Sequence, residues 1–424
     1  MRYRVAVLLG RAARWALRLR GGGSAVPGRI VLAVAPHFLE RAVSRLPLGL
    51  VFVSGSNGKS TTTNMLTAML RGSGLNVFTN PSGGNLPQGI ASAMLASVPL
   101  DGYVRGDVGV IEVDEAYGVA LAERLKPNVV LLLNVQIDQL NRFFEPSRVV
   151  GMLRTMAASA RKLVVVNADD DNLRRIAADC HTAGRRTSSF AVAAELIEQS
   201  PHGLATVADV APSGQAVALP DARVRVARVD GREATIVIDG APIEFTLPAR
   251  GLHYAVDAAG ALTTAVELLG ERFSPVAATR AMAGLHTVYG RGETLTVNGE
   301  DIEIIMMKNP PSLQLNLDSL DGAPPQVLMA VDEGTPDPSW IYDIDFGSLD
   351  RVDVISGTKA WQLATRLGYS GIPIGVVLPR LNDAVAAFLA LPRPETGIKT
   401  MIVNYEQMML IRKQLGFLDL EGGQ

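Results

Sequence analysis

The chain has 424 residues, 48% hydrophobic and 19% charged, which supplies a packed core and excludes a disordered protein. Lys and Arg number 40 against 42 Asp and Glu, and a net charge of −2 gives no support to nucleic-acid binding. The one cysteine, Cys180, excludes an internal disulfide and a Cys-rich zinc ribbon, so no structural zinc is expected and a reducing cytoplasm is the expected home.

The first predicted element is a basic amphipathic helix ending at Gly21-Gly22-Gly23. Its apolar run, Val5 to Leu9, stops at Gly10 and Arg11, too soon for a secretory signal or a membrane span. Two readings stand. The helix packs on the domain through Val5, Leu8, Trp15 and Leu19, or it meets an anionic membrane surface through Arg2, Arg4, Arg11, Arg14, Arg18 and Arg20.

The apolar run Leu48–Val53 reads as a strand, and helical spacing follows from Ser60 to Arg71. Further strands are predicted at Gly109–Val113, Val129–Asn134 and Leu163–Asn167, with helices at Gly89–Ala96 and Ser147–Arg161. Such alternation predicts a parallel sheet covered on both faces. Residues 206–248 carry alternating pieces, Arg223–Val229 and Ala234–Ile238, and read as a small antiparallel insertion. A helix over Tyr254–Leu269 ends at Gly270. A second unit starts near Gly290 with a hairpin around Asn298-Gly299. Its predicted strands are Val327–Val331, Arg351–Ser356 and Ile374–Val377, and its helices Lys359–Leu367 and Leu381–Ala390. The predicted division is 1–46 as basic helix and lead-in, 47–288 as the central domain and 289–424 as a smaller C-terminal α/β domain.

The strongest motif is Gly55-Ser56-Asn57-Gly58-Lys59-Ser60-Thr61, placed between strand and helix. Backbone N–H groups of a glycine loop and a helix N-terminus cradle phosphate. Lys59 is expected to bridge the β- and γ-phosphates of ATP, and the Ser60 hydroxyl to bind Mg²⁺. Val53 stands where a full Walker A loop has its first glycine. Glu112, at a strand end near this loop, is the candidate metal carboxylate, with Asp114 and Glu115 beside it. Cys180 lies at a helix end beside His181, with no nucleophile elbow, so a reactive thiol is not expected there.

The spelling GSNGKST looks like the ATP loop of the Mur ligase and folylpolyglutamate synthase superfamily. Further stretches follow in order: Gly21–Gly28, Ser82-Gly83-Gly84-Asn85-Leu86, Ile111–Glu115, NVQIDQLNR from Asn134, Gly290-Arg291-Gly292-Glu293, Lys308-Asn309-Pro310 and Asp337–Asp343. Together they resemble the MurT-type subunits of lipid II isoglutaminyl synthases. The resemblance implies a Mur-ligase-type ATP-binding domain followed by a smaller α/β domain. A phosphate loop as early as residue 54, without the UDP-binding domain of other Mur ligases, points the same way.

It also implies the reaction. ATP phosphorylates the α-carboxylate of D-glutamate in the lipid II stem peptide, and ammonia from a separate GatD-type glutaminase converts the acyl phosphate to D-isoglutamine. The work would be done in the cytoplasm at the inner face of the membrane. Asn134 is expected beside substrate and phosphate, Asn85 in a second loop facing the γ-phosphate and acceptor, and Asp257 at the adenine. Arg291 would reach ATP across the cleft, which Lys308 and Asn309 would line. Asp337, with Asp343 and Asp345 as fallbacks, would complete the glutaminase triad, and Trp340 and Tyr342 would anchor that partner. The chain departs from the family at Ile137, Asn141, Tyr254, Asp257 and 311–314. Two rival functions are an amino-acid-adding Mur or folylpolyglutamate-type ligase, and a non-catalytic nucleotide-binding scaffold for a glutaminase.

Overall fold

The computed structural model describes residues 2–18, 25–80, 84–138, 145–208, 210, 219, 221–285, 291–332 and 338–417, without the side chains of 18, 291 and 338–340. Strand β1 (Gly49–Ser54) shows how the sequence makes the first sheet. Leu50 and Phe52 enter one core and Val51 and Val53 the other. A strand covered on both faces therefore reads as an unbroken apolar run, as β3 (Val108–Glu112), β4 (Val129–Leu132) and β5 (Leu163–Asn167) do.

The remaining strands of this sheet are β2 (Val77–Thr79), β6 (Arg186–Val192), β7 (Val224–Asp230), β8 (Glu233–Ile238) and β9 (Ala241–Thr246). The order is β2-β3-β1-β4-β5-β6-β7-β8-β9, parallel as far as β7 and antiparallel beyond. The antiparallel pieces expected within 206–248 thus continue the main sheet. They join it where Val224 pairs with Phe190 of β6, a strand whose polar start, Arg186-Thr187-Ser188-Ser189, hid it from the sequence reading.

Helices cover both faces. The α1 helix (Arg2–Arg18), α2 (Val26–Val34), α3 (Phe38–Val43), α5 (Pro87–Ser97), α6 (Glu115–Leu125), α7 (Pro146–Ala158) and α8 (Asp171–Thr182) lie on one side. On the other are α4 (Lys59–Gly72), α10 (Leu252–Leu269) and α11 (Pro275–Ala283), while α9 (Ala194–Gln199) is a short surface turn. At the α2–α5 crossing, a Cβ on Gly28 would lie 1.9 Å from the Gln88 carbonyl oxygen, so glycine is required.

Helix α1 is packed, but not by the side chains expected. Ala6, Val7 and Gly10 are buried against α2 and α5, whereas Val5, Leu8 and Trp15 are exposed. The cause is Gly10: a Cβ there would sit 2.5 Å from Val31 Cγ2, so the small face of the helix makes the close approach. Leu19 lies outside the described residues.

The second sheet has the order β10-β11-β15-β12-β13-β14. Its strands are β10 (Arg291–Val297), β11 (Glu300–Met306), β12 (Val327–Ala330), β13 (Val352–Ser356), β14 (Ile374–Val377) and β15 (Lys399–Val403). Asn298 and Gly299 both have positive φ, 52° and 78°, which makes the predicted β10–β11 hairpin turn. Helices α12 (Pro310–Asp318) and α13 (Ala360–Tyr369) cover one face, and α14 (Leu381–Leu389) and α15 (Tyr405–Gln414) the other.

Candidate active site

The chain leaves β1 for β2, fills the gap between them with β3, and only then crosses to β4 on the other side of β1. The sheet thus has a topological switch point at the C-terminal end of β1, where open α/β sheets bind ligands. The phosphate loop emerges there. Gly58 has φ 83°, and a Cβ there would lie 2.1 Å from Asp257 Oδ1, so any other residue would be strained and would displace the Asp257 carboxylate.

The loop is braced from β4. Asn134 Oδ1 accepts from Asn57 N (2.9 Å), and Asn134 Nδ2 donates to Asn57 O (3.2 Å). Gln136 exchanges main-chain bonds with the Ser56 hydroxyl, and its Oε1 accepts from Asn57 Nδ2 at 2.6 Å. Asn134 therefore acts on the loop itself. Asn57 and Ser56, expected to face nucleotide, are tied to Asn134 and Gln136 through their side chains and backbone.

Lys59 is buried and donates to Glu115 Oε1 at 2.6 Å and to the Gly55 carbonyl at 2.5 Å. Burial acts to lower the pKa of its ammonium, but attraction to Glu115, Asp138 and Glu112 outweighs this and raises it. Glu115 Oε2 is buried with no hydrogen-bond partner. Beside it, the Ser60 hydroxyl donates to Glu112 Oε2 at 2.7 Å. Asn85 Nδ2 reaches Glu112 Oε1 at 3.5 Å, and Asn80 clamps the Glu112 backbone through both its N–H and its carbonyl. Asp114 is spent as the N-cap of α6, accepting from Ala116 N and Tyr117 N. Thr61 lies buried in the first turn of α4.

The second sheet supplies two more groups. Lys308 Nζ donates to Ser56 O (2.9 Å) and Asp138 Oδ2 (2.8 Å). Desolvation and then repulsion from Lys59 lower its pKa, against the pull of Asp138 and Glu115. Asn309 pairs its amide with Asn57 in both directions, at 3.1 and 3.2 Å. The same side chain N-caps α12, with Pro310 at the first helical position and Ser312 completing a capping box.

The site therefore gathers Lys59, Lys308, Glu112, Glu115 and Asp138 around one loop, with Gly55, Ser56, Asn57, Gly58, Ser60, Thr61, Asn85, Asn134, Asp257 and Asn309 about them. Asp257 is set against Gly58, beneath the loop. Ser82, Gly83, Gln139, Asn141, Arg142 and Asp337 lie outside the described residues, as do the side chains of Arg291 and Trp340. Asp343 and Tyr342 are exposed on the second domain, and Asp345 turns its carboxylate back to Gly347 N. Cys180 is buried, and burial pushes its thiol pKa up, which suits a packed side chain and not a nucleophile.

Sequence reasoning missed Gln136 and Asn80. Each was legible only as a polar residue following an apolar strand, the signal that did single out Asn134. Among the described residues, no group of three His, Cys, Asp or Glu side chains is placed to hold a metal. Ser60, Glu112 and the unpartnered Glu115 Oε2 are nevertheless hard oxygen donors beside a phosphate loop. They fit Mg²⁺, which takes one or two carboxylates and completes its shell with phosphate and water.

Comparisons with known proteins agree with this geometry. Residues 53–264 match the family model described as Mur ligase middle domain, and 306–408 match MurT ligase C-terminal. The chain is 25% identical to the lipid II isoglutaminyl synthase (glutamine-hydrolyzing) subunit MurT of Staphylococcus aureus strain COL, over all of both chains. The subunit of that name from Streptococcus pneumoniae is 23% identical over 87% of each chain. Among solved structures, MurF from Acinetobacter baumannii superposes with TM-score 0.69 at 14% identity, over 92% of this chain and 80% of that one. The Mycobacterium tuberculosis folylpolyglutamate synthase complexed with ADP and AMPPCP superposes with TM-score 0.66 at 16% identity, over 95% and 99%.

Proposed function

From a chain that belongs to the Mur ligase family and is a ligase, we propose the synthetase subunit of a lipid II-amidating complex. One observation carries the reading. Lys308 and Asn309, beside the start of the MurT-type C-terminal match, meet Ser56 and Asn57 of the phosphate loop.

In this reading, ATP lies along the loop with its adenine on the Asp257 side and its phosphates at the N-terminus of α4, where Arg291 would reach them across the cleft. Lys59 leaves Glu115 to bridge the β- and γ-phosphates. Ser60 and Glu112 would hold Mg²⁺, which when bound offsets the charge of the phosphates. The α-carboxylate of the stem-peptide D-glutamate, held near Asn85, Asn134 and Asn309, attacks the γ-phosphorus, and ADP leaves. Ammonia then adds to the acyl carbon and phosphate departs, giving D-isoglutamine. Phosphoryl transfer needs positioning and charge more than covalent help, and both ammonium groups lie where that charge develops.

Ammonia comes from a GatD-type glutaminase. Asp337 of this chain completes its triad, and the 338–343 segment forms part of the contact. Domains at 47–288 and 289–424 close on ATP, and the work is done at the inner face of the membrane.

The test is amidation of lipid II by the purified chain with ATP, Mg²⁺ and ammonium, followed by mass spectrometry. Amide product that is absent with Lys59→Ala supports the reading. Transfer of an amino acid instead of ammonia would make the chain an amino-acid-adding ligase. Nucleotide binding without product from ammonium, or from glutamine with the glutaminase, would reduce it to a scaffold.

A further inference from the structure

Helix α1 turns an apolar strip outward. Val5, Leu8, Leu9 and Trp15 are 44, 54, 47 and 68% exposed, and Ala12 and Ala16 beside them are exposed too. On a helical wheel, these six residues form one unbroken arc of about 120°, opposite the buried Ala6, Val7 and Gly10. The helix has no acidic residue, and exposed Arg4 and Arg11 border the arc on one side and Arg2 on the other.

Its mounting is rigid. Gly10 is wedged between Val31 and Leu95. Arg2 donates to the Val34 carbonyl and Arg11 to those of Leu95 and Val98, at the C-terminal ends of α2 and α5. The arc is thus held outward by contacts on the opposite face.

We propose that this arc lies in the headgroup layer of a bilayer containing anionic phospholipid, with α1 parallel to the surface. Charge complementarity selects that occupant: apolar side chains reach the acyl boundary while exposed Arg4, and the guanidinium N–H groups that Arg2 and Arg11 do not spend on Val34, Leu95 and Val98, meet phosphate. A second copy of the chain fits worse, since a two-fold pairing of the arcs would set arginine edges against each other. None of the described helices is long and apolar enough to cross a membrane, so the contact is peripheral. The proposal is independent of the reaction assigned above. It adds a consequence to it, because α5, on which α1 rests, starts two residues after Asn85 and spans only about 16 Å.

Sedimentation of the full chain with phosphatidylcholine vesicles, with and without phosphatidylglycerol, tests this. The expected result is binding to the phosphatidylglycerol vesicles alone, weakened by salt. The Leu8→Gln/Leu9→Gln/Trp15→Ala variant should bind about tenfold more weakly at an unchanged thermal midpoint. The Arg4→Glu variant should bind more weakly as well. Absence of binding, equal binding to neutral vesicles, or full binding by the triple variant would overturn the proposal. So would a dimeric wild type that the triple variant makes monomeric, since the arc would then be a self-association face.

Discussion

The Lys59 ammonium lies 2.6 Å from Glu115 Oε1, and neither residue is more than 7% exposed. The phosphate-loop lysine is thus held by a carboxylate of the same sheet's helix α6. Removing one partner of a buried pair leaves the other charge uncompensated, at a cost of about 3–5 kcal/mol. Glu112 and Asp138 still attract Lys59, so the Glu115→Gln protein should lose about 3 kcal/mol of unfolding free energy, the low end of that range. ADP brings phosphate charge in place of Glu115, so it should restore more stability to the variant than to the wild type. Urea unfolding with and without Mg-ADP measures both quantities. An equal gain from ADP in the two proteins would mean that the lysine does not exchange Glu115 for phosphate.

Gly58 carries two separate demands. Its φ of 83° costs an L-residue about 1–2 kcal/mol, and a Cβ would strike Asp257 Oδ1. Gly58→Ala is expected to weaken ATP binding at least about tenfold, a loss of 1.4 kcal/mol or more. Gly58→Ala/Asp257→Ala should regain part of the folding stability by removing the collision, but not the part due to φ. Calorimetric titration and thermal unfolding separate the two effects, and complete recovery in the double variant would reduce the requirement to space alone.

Much of this architecture is written in local signals. Strands buried on both faces read as apolar runs, and the loop between β1 and α4 has a spacing that only phosphate chemistry explains. Asn298-Gly299 announces its hairpin. What stayed hidden depends on the partner across space. Strand β6 begins with four polar residues, and β15 offers only five residues, Lys399–Val403, yet sits between β11 and β12. The larger apolar residues of α1 do not mark its packed face, because Gly10 decides which side comes close. The sequence placed Glu115 one residue from a strand-end pair of acids, but nothing local reveals that it faces Lys59 and not solvent.

Asp170 gives a pH signature of the fold beneath the site. It is fully buried, and burial pushes its pKa from 3.8 up to about 6, although its carboxylate accepts from Val135 N, Asn172 N and Leu173 N. The raised folded value means that this group favours the folded state fully below pH 3.8 and loses that contribution as pH rises through about 6. The change is about 3 kcal/mol across that window. Wild type minus Asp170→Asn stability should therefore rise as pH falls from 7 to 4, whatever the offset between the two proteins at neutral pH. Chemical denaturation at several pH values measures it, and a flat difference would show that Asp170 keeps the same charge in both states.

Lys308 links the two sheets at the reacting end of the loop, through Ser56 O and Asp138 Oδ2. Lys308→Met keeps the length of the stem and removes the charge. The Lys308 side chain is partly exposed and Asn309 still pairs with Asn57, so folding should survive the change. If Lys308 acts on phosphate charge that develops during transfer, kcat for amidation should fall by about 10²-fold, with little change in the KM for ATP. If it serves only to hold the domains together, KM should rise while kcat is kept, and Asp138→Asn should reproduce that pattern. Steady-state kinetics of both variants with saturating ammonium decides between them: a kcat loss confined to Lys308→Met places the ammonium at the transferring phosphoryl group, and matching KM effects place it in the domain contact.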